Sequence, residues 1–196
     1  MAGVSIDMTS VGRARKVVLV EGGSDKAALE VLAHRRGVRL GRDGICVVAM
    51  GGATNIGHFV DLLGPHGLNV KLAGLCDAGA EDHLRRALWR GGLDPGLSPA
   101  GLQARGFYVC TTDLEDELIR AVGSAAVERV IAAHGELRPF RTFQRQPAHQ
   151  HEDLGQQIHR FLGTRSGRKA QYARLLAAAA DLDRVPPPLD GALAGS

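Results

Sequence analysis

Acidic residues follow three short hydrophobic runs of this chain, at the point where each run ends. The runs and the acids behind them are, in chain order, residues 17–20 with Glu21 and Asp25, residues 70–76 with Asp77, and residues 107–110 with Asp113 and Glu115. Because the carboxyl ends of parallel strands converge on one crevice of an α/β sheet, carboxylates from three strands would meet there. So much like charge needs a cation among it, and hard divalent metals take oxygen ligands of this kind. The pattern therefore predicts a carboxylate cluster that binds metal.

Each of these acids also has a structural explanation that competes with a functional one. Asp25 and Asp113 could cap helices, and acids near a helix N-terminus are stabilised there in any protein. Glu21 and Asp77 follow their strands directly, and the glycines after Glu21 let the backbone come close to a ligand. A capping role therefore explains Glu21 and Asp77 least well.

The composition is that of a folded domain. The chain has 196 residues, of which 44% are hydrophobic, and this size fits one domain with an appended subdomain. No apolar run approaches the roughly 20 residues that span a membrane, and the N-terminus lacks a signal-peptide pattern. Cys46, Cys76 and Cys110 lie in hydrophobic runs without a CxxC spacing, which favours buried thiols over a metal or disulfide role. We expect a cytoplasmic protein.

Strand and helix patterns alternate over the first two thirds of the chain. The predicted strands are Lys16–Val20 and residues 45–50, 70–76 and 106–110, and the predicted helices between and after them are residues 24–36, 54–63, 81–90, 113–122 and 125–134. This alternation is typical of a parallel sheet with helices on both faces. Beyond residue 135 only helical patterns remain, at Leu154–Leu162 and residues 168–181, and the prolines at 186–188 predict the end of regular structure.

The acidic motifs resemble the Toprim domain, which bacterial primases, type IA and type II topoisomerases and the overcoming-lysogenization-defect (OLD) nucleases share. In detail the chain looks most like the OLD nucleases. The matching segments are the hydrophobic-Glu-Gly turn at residues 18–22, the second acid Asp25, the glycine-led residues 51–55, the Asp77 position, Leu114-Glu115, and Lys169 before residues 170–173. The resemblance covers about residues 16–180.

The chain departs from the Toprim pattern at one position. The family's Asp-x-Asp is Asp77-Ala78-Gly79 here, so its second acid is missing. Glu81 or Asp82, from the next helical turn, is the expected replacement. If neither replaces it, a one-metal or an inactive protein follows. No GxxxxGK[ST] P-loop is present, so we expect no ATP site in this chain.

The resemblance implies a Toprim (Rossmann-like) α/β fold, with a parallel sheet of about four strands, helices on both faces and a C-terminal helical extension. The expected parts are a flexible segment at residues 1–15, the Toprim domain at 16–135, a helical extension at 136–184 that carries basic residues and Lys169, and a tail at 185–196. Basic residues concentrate between residues 138 and 174, and such a patch suits a polyanionic substrate, although a solvated helix face explains it equally well.

The implied activity is that of a metal-dependent DNA endonuclease or nicking phosphodiesterase with two Mg²⁺ or Mn²⁺ ions. The candidate catalytic residues are Glu21, Asp77 and Lys169. The candidate metal ligands are Glu21, Asp25, Asp77, Glu81, Asp82 and Glu115. The candidate nucleic-acid-binding residues are Arg165, Arg168 and Arg174, and the expected partner is DNA.

Two other classes of function stay open at the level of the sequence. The missing acid favours a non-catalytic Toprim module that binds nucleic acid, or a partner subunit of a separate ATPase. A phospho-receiver-like signalling domain also gathers acids at strand ends, and Asp77 and Thr111 fit that layout. A receiver, however, places its lysine at the end of a late strand, whereas Lys169 lies in a helical stretch.

Overall fold

Four parallel strands form the sheet of the computed structural model, which describes residues 8–94, 96–165 and 167–194. The strands are β1 (Lys16–Val20), β2 (Ile45–Ala49), β3 (Lys71–Cys76) and β4 (Phe107–Val109). Their order across the sheet is β2-β1-β3-β4, and every neighbouring pair is parallel. β1 and β3 therefore form the centre of the sheet.

Helices connect the strands and form the C-terminal part. They are α1 (Met8–Gly12), α2 (Gly23–Arg35), α3 (Ile56–Leu63), α4 (Glu81–Arg90), α5 (Pro99–Ala104), α6 (Leu114–Val122), α7 (Ser124–Ala133), α8 (Leu137–Gln144), α9 (Leu154–Leu162), α10 (Arg168–Ala179) and α11 (Pro187–Leu193). Short 3₁₀ turns lie at Ala53–Asn55, Ala78–Ala80 and Leu182–Arg184. None of the described helices has the length and apolar character that crossing a membrane requires.

The two faces of the sheet bury separate hydrophobic cores. Because successive side chains of a strand point to opposite faces, Val18 and Val20 enter one core and Val17 and Leu19 the other. The first core lies under α2, α6, α7, α9, α10 and α11, and the second lies under α3, α4 and α5. Since β1 is covered on both faces, its sequence is a continuous apolar run.

Helix α10 ties the C-terminal extension to the domain by packing against α2. Tyr172 and Leu176 of α10 are completely buried in the first core, together with Leu29 and Leu32 of α2. This packing fixes the N-terminal turn of α10, which carries Lys169.

The expected four-stranded parallel sheet, the helices on both faces and the helical extension are confirmed. Cys76 and Cys110 are buried free thiols, as expected, whereas Cys46 is partly exposed. Helices α5 and α8 had not been predicted. The proposed domain boundaries stay predictions.

Two expectations about the chain ends are wrong. Part of the segment predicted to be flexible is the helix α1, which is held by the buried Val11; residues 1–7 of that segment lie outside the described residues. Regular structure also continues past the prolines, because α11 begins at Pro187, where a missing N–H costs no helical hydrogen bond. Leu189 and Leu193 bury α11 against the sheet. Residues 195–196 of the predicted tail lie outside the described residues.

Replacing Leu176 with Ala should destabilise the fold by about 2–5 kcal/mol, because it removes buried methyl groups and leaves a cavity between α10 and α2. Urea unfolding should show a lower midpoint with an unchanged slope. Gln171→Ala, at an exposed position of the same helix, is the matched control and should stay within about 0.5 kcal/mol of wild type. A Leu176→Ala midpoint equal to that of the control would contradict the packing of α10 against α2.

Candidate metal centre and its basic surroundings

The strand order places two acids next to each other at the switch point of the sheet. From β1 the chain turns to one side to form β2, and β3 and β4 lie on the other side. Ligands of open α/β sheets bind at the carboxyl ends of strands at such a point. Glu21 follows β1 and Asp77 follows β3, so the two central strands deliver both side chains to this crevice.

Backbone hydrogen bonds between loops hold the crevice together. The Cys110 amide donates to the Cys76 carbonyl at 2.9 Å, and the Ala78 amide donates to the Thr112 carbonyl at 3.0 Å. The Gly52 amide, in the turn after β2, donates to the Glu21 carbonyl at 3.0 Å. Gly52 has a φ of 130°, which side-chain-bearing residues rarely adopt, and this conformation makes the turn possible. These bonds link the end of β1 to that of β2, and the end of β3 to that of β4.

Glu21 and Asp77 are in direct contact, since the Asp77 amide donates to Glu21 Oε1 at 3.1 Å. The pKa of the Asp77 carboxyl is raised to about 7, mainly by burial and in addition by the negative charges of Glu21, Asp25, Asp113 and Glu115. These influences show that acids from three loops lie within electrostatic range of one another.

Asp25 faces the same cluster from the first turn of α2. Its Oδ2 accepts a hydrogen bond from the Gly22 amide at 2.7 Å, so it does help to cap the helix. The pKa of Asp25 is raised to about 6, mainly by burial and also by the charges of Glu115 and Glu21, although the Gly22 hydrogen bond opposes the rise. Asp25 is also buried, which capping alone does not require.

Glu115 is the most buried acid of the cluster, with 4% of its side chain exposed. Its Oε2 accepts a hydrogen bond from the Lys169 ammonium at 3.3 Å, while its Oε1 is buried without a hydrogen-bond partner. Burial lowers the pKa of Lys169, but Glu115 outweighs that effect and the net pKa is raised. Lys169 therefore stays positively charged over the acids. Lys169 lies on α10 and not at the end of a strand, which is where a phospho-receiver domain would place its lysine.

The position of Glu115 is set by two other acids of the β4–α6 connection. Asp113 is the N-cap of α6, and its Oδ1 accepts a hydrogen bond from the Asp116 amide at 2.9 Å. The buried Glu117 turns back and accepts a hydrogen bond from the Thr111 amide at 2.7 Å. Together they fix the start of α6, so that Glu115 points into the crevice.

A second, partly buried network fixes the start of α10. Glu136 Oε1 accepts a hydrogen bond from Arg168 at 2.9 Å, and its Oε2 accepts one from the Tyr172 hydroxyl at 3.0 Å. The Arg168 guanidinium also lies 4.1 Å above the ring centre of Phe161. Because Lys169 is the next residue, this network holds the turn from which its ammonium reaches Glu115.

Among the three candidate nucleic-acid-binding arginines, the structure separates one from the others. Arg168 is 5% exposed, and its guanidinium forms an ion pair with Glu136. These surroundings are those of a structural residue. Arg165 is 70% exposed, 3.4 Å from Glu136, and Arg174 is exposed on α10.

Neither candidate for the missing second acid joins the cluster. Glu81 lies in the first turn of α4 beside Cys76, but its Oε1 is bound by Arg85 at 2.6 Å. Asp82 is exposed on the same turn. Residues 78–80 form a 3₁₀ turn that places Gly79 where the family has its acid.

The chemistry of the cluster fits a hard divalent cation. Among the described residues, no three His, Cys, Asp or Glu side chains lie in an arrangement that would ligate one metal ion. Glu21, Asp25 and Glu115 instead each accept a hydrogen bond from a donor of the protein. The buried oxygen of Glu115 lacks a donor, however, and the pKa of Asp77 is raised by burial and by the surrounding negative charge. A cation among these oxygens would relieve both.

The structure adds one residue that the sequence patterns had not indicated. His159, on α9, lies 2.6 Å from Asp113 through its Nε2 atom, and the charges of Glu115 and Lys169 affect its pKa. Its position on an amphipathic helix 46 residues beyond Asp113 gives no local signal, because only the tertiary fold brings the two side chains together.

Two comparisons with known proteins bear on this site. A family model described as the TOPRIM domain of overcoming lysogenization defect (OLD) protein-like proteins matches residues 14–78. Residues 14–78 of the chain therefore resemble an OLD-like Toprim domain. The matched segment holds Glu21, Asp25 and Asp77, whereas Glu115 and Lys169 lie beyond it. The resemblance inferred from the motifs is thus confirmed.

Solved structures extend the likeness over most of the length of the chain. The C-terminal region of the Burkholderia pseudomallei OLD protein has a TM-score of 0.71 and 23% identity over 92% of this chain and 95% of that chain, which shows a common fold. Two structures of the C-terminal region of the Xanthomonas campestris pv. campestris OLD protein are each 28% identical, with TM-scores of 0.64 and 0.67. Both comparisons cover 92% of this chain, and 93% and 92% of the respective solved chains. No curated protein sequence matches the chain.

Replacing Asp77 with Asn should remove a pH dependence from the stability of the metal-free protein. The folded Asp77 has a pKa of about 7, well above the ~3.9 of an unfolded aspartate. Between these pH values the folded chain retains a proton that the unfolded chain has lost. The stabilisation is therefore full below about pH 4 and is lost as the pH rises through about 7.

Thermal unfolding in EDTA, from pH 5 to pH 8, measures this effect. We expect Asp77→Asn to gain stability relative to wild type as the pH rises. Asp82→Asn, an exposed acid outside the cluster, should follow wild type throughout. Parallel curves for wild type and Asp77→Asn would show that Asp77 does not titrate near neutrality.

Proposed function

We propose that this chain is a metal-dependent phosphodiesterase that nicks or cuts DNA. The observation that carries the proposal is the convergence of Glu21, Asp25, Asp77 and Glu115 at the switch point of the sheet, with Lys169 above them. Like charges this close together weaken a fold unless a cation offsets them. Their assembly is therefore more easily explained by function than by stability.

The same residues divide into two groups that would hold divalent cations. Glu21 and Asp25 would hold one Mg²⁺ or Mn²⁺ ion, and Asp77 and Glu115 would hold the other. When bound, such ions polarise a phosphodiester and lower the pKa of water. Lys169 would stabilise negative charge that develops on the phosphate oxygens, because its ammonium is held at the cluster by Glu115.

A groove beside Lys169 offers a path for a nucleic-acid strand. It has a volume of about 910 Å³ and runs between α6 and α9, with His159, Lys169, Arg120 and Arg160 among its lining residues. Acidic side chains lie between these cations, so the groove is mixed in charge. Such a groove would suit a few positioned contacts to the DNA backbone rather than a strong overall attraction to its charge.

A second hollow lies on the other side of the turn between α9 and α10. Its volume is about 620 Å³, and its charged lining residues are the arginines Arg138, Arg165 and Arg168, without an acid among the described residues that form it. Arg138 and Arg165 are the exposed cations of this surface. They supply phosphate contacts beyond the groove in this proposal.

A second candidate function is a non-catalytic nucleic-acid-binding module, or a partner subunit of a separate ATPase. Gly79 in place of the second acid, and the pairing of Glu81 with Arg85, favour it. In this case the cluster would bind a single ion, or none, and DNA would be held without being cut.

Conversion of supercoiled plasmid into nicked or linear DNA with Mg²⁺, Mn²⁺ or EDTA tests the proposal. We expect metal-dependent cutting by wild type, with losses of about 100-fold or more in Glu21→Gln and Asp77→Asn, because each substitution removes a charged ligand from the cluster. The matched controls Glu81→Gln and Asp82→Asn also remove acids, but outside the cluster. They should cut within about threefold of wild type.

Two results would contradict this proposal. Wild type that is folded and binds DNA, yet cuts with neither metal, would favour the binding module. A loss of cutting in Glu81→Gln as large as in Asp77→Asn would place a metal ligand on α4 and would refute the assignment of Glu21, Asp25, Asp77 and Glu115 as the metal ligands.

A further inference from the structure

His159 and Asp113 form a close pair at the edge of the carboxylate cluster. His159 Nε2 lies 2.6 Å from Asp113 Oδ2, and the other oxygen of Asp113 accepts the Asp116 amide at 2.9 Å. Both oxygens of Asp113 are therefore engaged, which leaves it poorly suited to bind a metal. The contact fixes the imidazole ring and leaves Nδ1 without a hydrogen-bond partner among the described residues.

The imidazole lies in the groove proposed for the nucleic-acid strand. His159 and Lys169 both line this groove, and 32% of the His159 side chain is exposed. Thr112, which follows β4 at the crevice, lines the same groove. A strand that leaves the carboxylate cluster through the groove would therefore pass His159.

Charged groups on three elements face His159. Asp113 and Glu115, at the start of α6, favour its protonated form, whereas Lys169 on α10 opposes it; Arg160 is the adjacent cation on its own helix. The hydrogen bond to Asp113 has the largest effect, and the net pKa of His159 is raised above its usual value. The contact with Asp113 therefore favours the protonated imidazole, which is the form that can donate a proton.

We propose that His159 is the proton donor to the departing sugar oxygen in phosphodiester cleavage, with Asp113 as the residue that positions it. This assignment rests on the proposed nuclease function. Lys169 is a poor alternative donor, since Glu115 raises its pKa further from neutrality. Lys169 and His159 thus have separate roles, one as a fixed charge and the other as an acid.

The step balances in atoms and protons. The oxygen of a water molecule forms a bond to phosphorus and loses one proton to the solvent. The bond from phosphorus to the departing sugar oxygen breaks, and its electron pair stays on that oxygen. The oxygen takes the proton from His159 Nδ1 and leaves as a hydroxyl group. His159 then regains a proton from water in the groove, while Asp113 remains ionised.

The test compares two substrates that differ in their need for an acid. Plasmid DNA loses an alkoxide that must be protonated, whereas thymidine 5′-(p-nitrophenyl phosphate) loses a phenolate that leaves without a proton. With Mn²⁺ present, we expect His159→Gln to cut DNA about 100-fold more slowly, and to cleave the nitrophenyl ester within about threefold of wild type. His83→Gln, on α4, is the control and should match wild type on both substrates.

An equal loss on both substrates would overturn the assignment, because it would indicate a purely structural role. Unchanged DNA cutting by His159→Gln would overturn it as well. Wild type that cleaves neither substrate would refute the proposed function itself, and this result differs from both of the others.

Proton NMR of the histidine ring provides a readout that does not depend on activity. Asp113→Asn should shift the titration of His159 to lower pH and should slow DNA cutting more than ester cleavage, as expected for a positioning residue. A His159 titration that is the same in wild type and Asp113→Asn would overturn the positioning role of Asp113.

Discussion

The concentration of negative charge at the carboxyl ends of β1, β3 and β4 is the constraint on which the other features of the site depend. The parallel arrangement forces Glu21, Asp77 and Glu115 toward one crevice, and burial weakens the screening that water would provide. The protein limits the resulting repulsion with directed donors. The Asp77 amide donates a hydrogen bond to Glu21, and the Gly22 amide donates one to Asp25. The Lys169 ammonium donates one to Glu115.

The acids and the cations of the site come from different parts of the chain. Glu21, Asp25 and Asp77 lie within the segment that matches the Toprim family model, whereas Lys169 and His159 are supplied by the helices beyond α8. The C-terminal extension therefore completes the charge balance of the crevice. Its attachment through α10 and α2, and through the partly buried Glu136–Arg168 contact, determines where its positive charges lie.

The sequence was sufficient for features that depend on local pattern. Hydrophobic runs ending in acids predicted the strands and the crevice, because a buried parallel strand needs apolar side chains on both faces. Lys169 was recognised only through the family motif. His159, Glu136 and the pairing of Glu81 with Arg85 could not be foreseen in the same way, since which of several possible partners a side chain selects depends on how the helices pack. The helix after Pro187 was missed because prolines were interpreted as a stop, although they also fit a first helical turn.

Helix α11 packs against β3 and β4 on one face of the sheet, and its C-terminal end is held at the amino end of the strands, away from the acids. The Lys16 ammonium, at the amino end of β1, donates to the Ala194 carbonyl at 2.6 Å. The first strand and the last helix therefore meet at the amino end of the sheet, opposite the crevice. A polypeptide fused after α11 would emerge on this opposite side, so that the groove beside Lys169 would remain open to a long, rigid substrate.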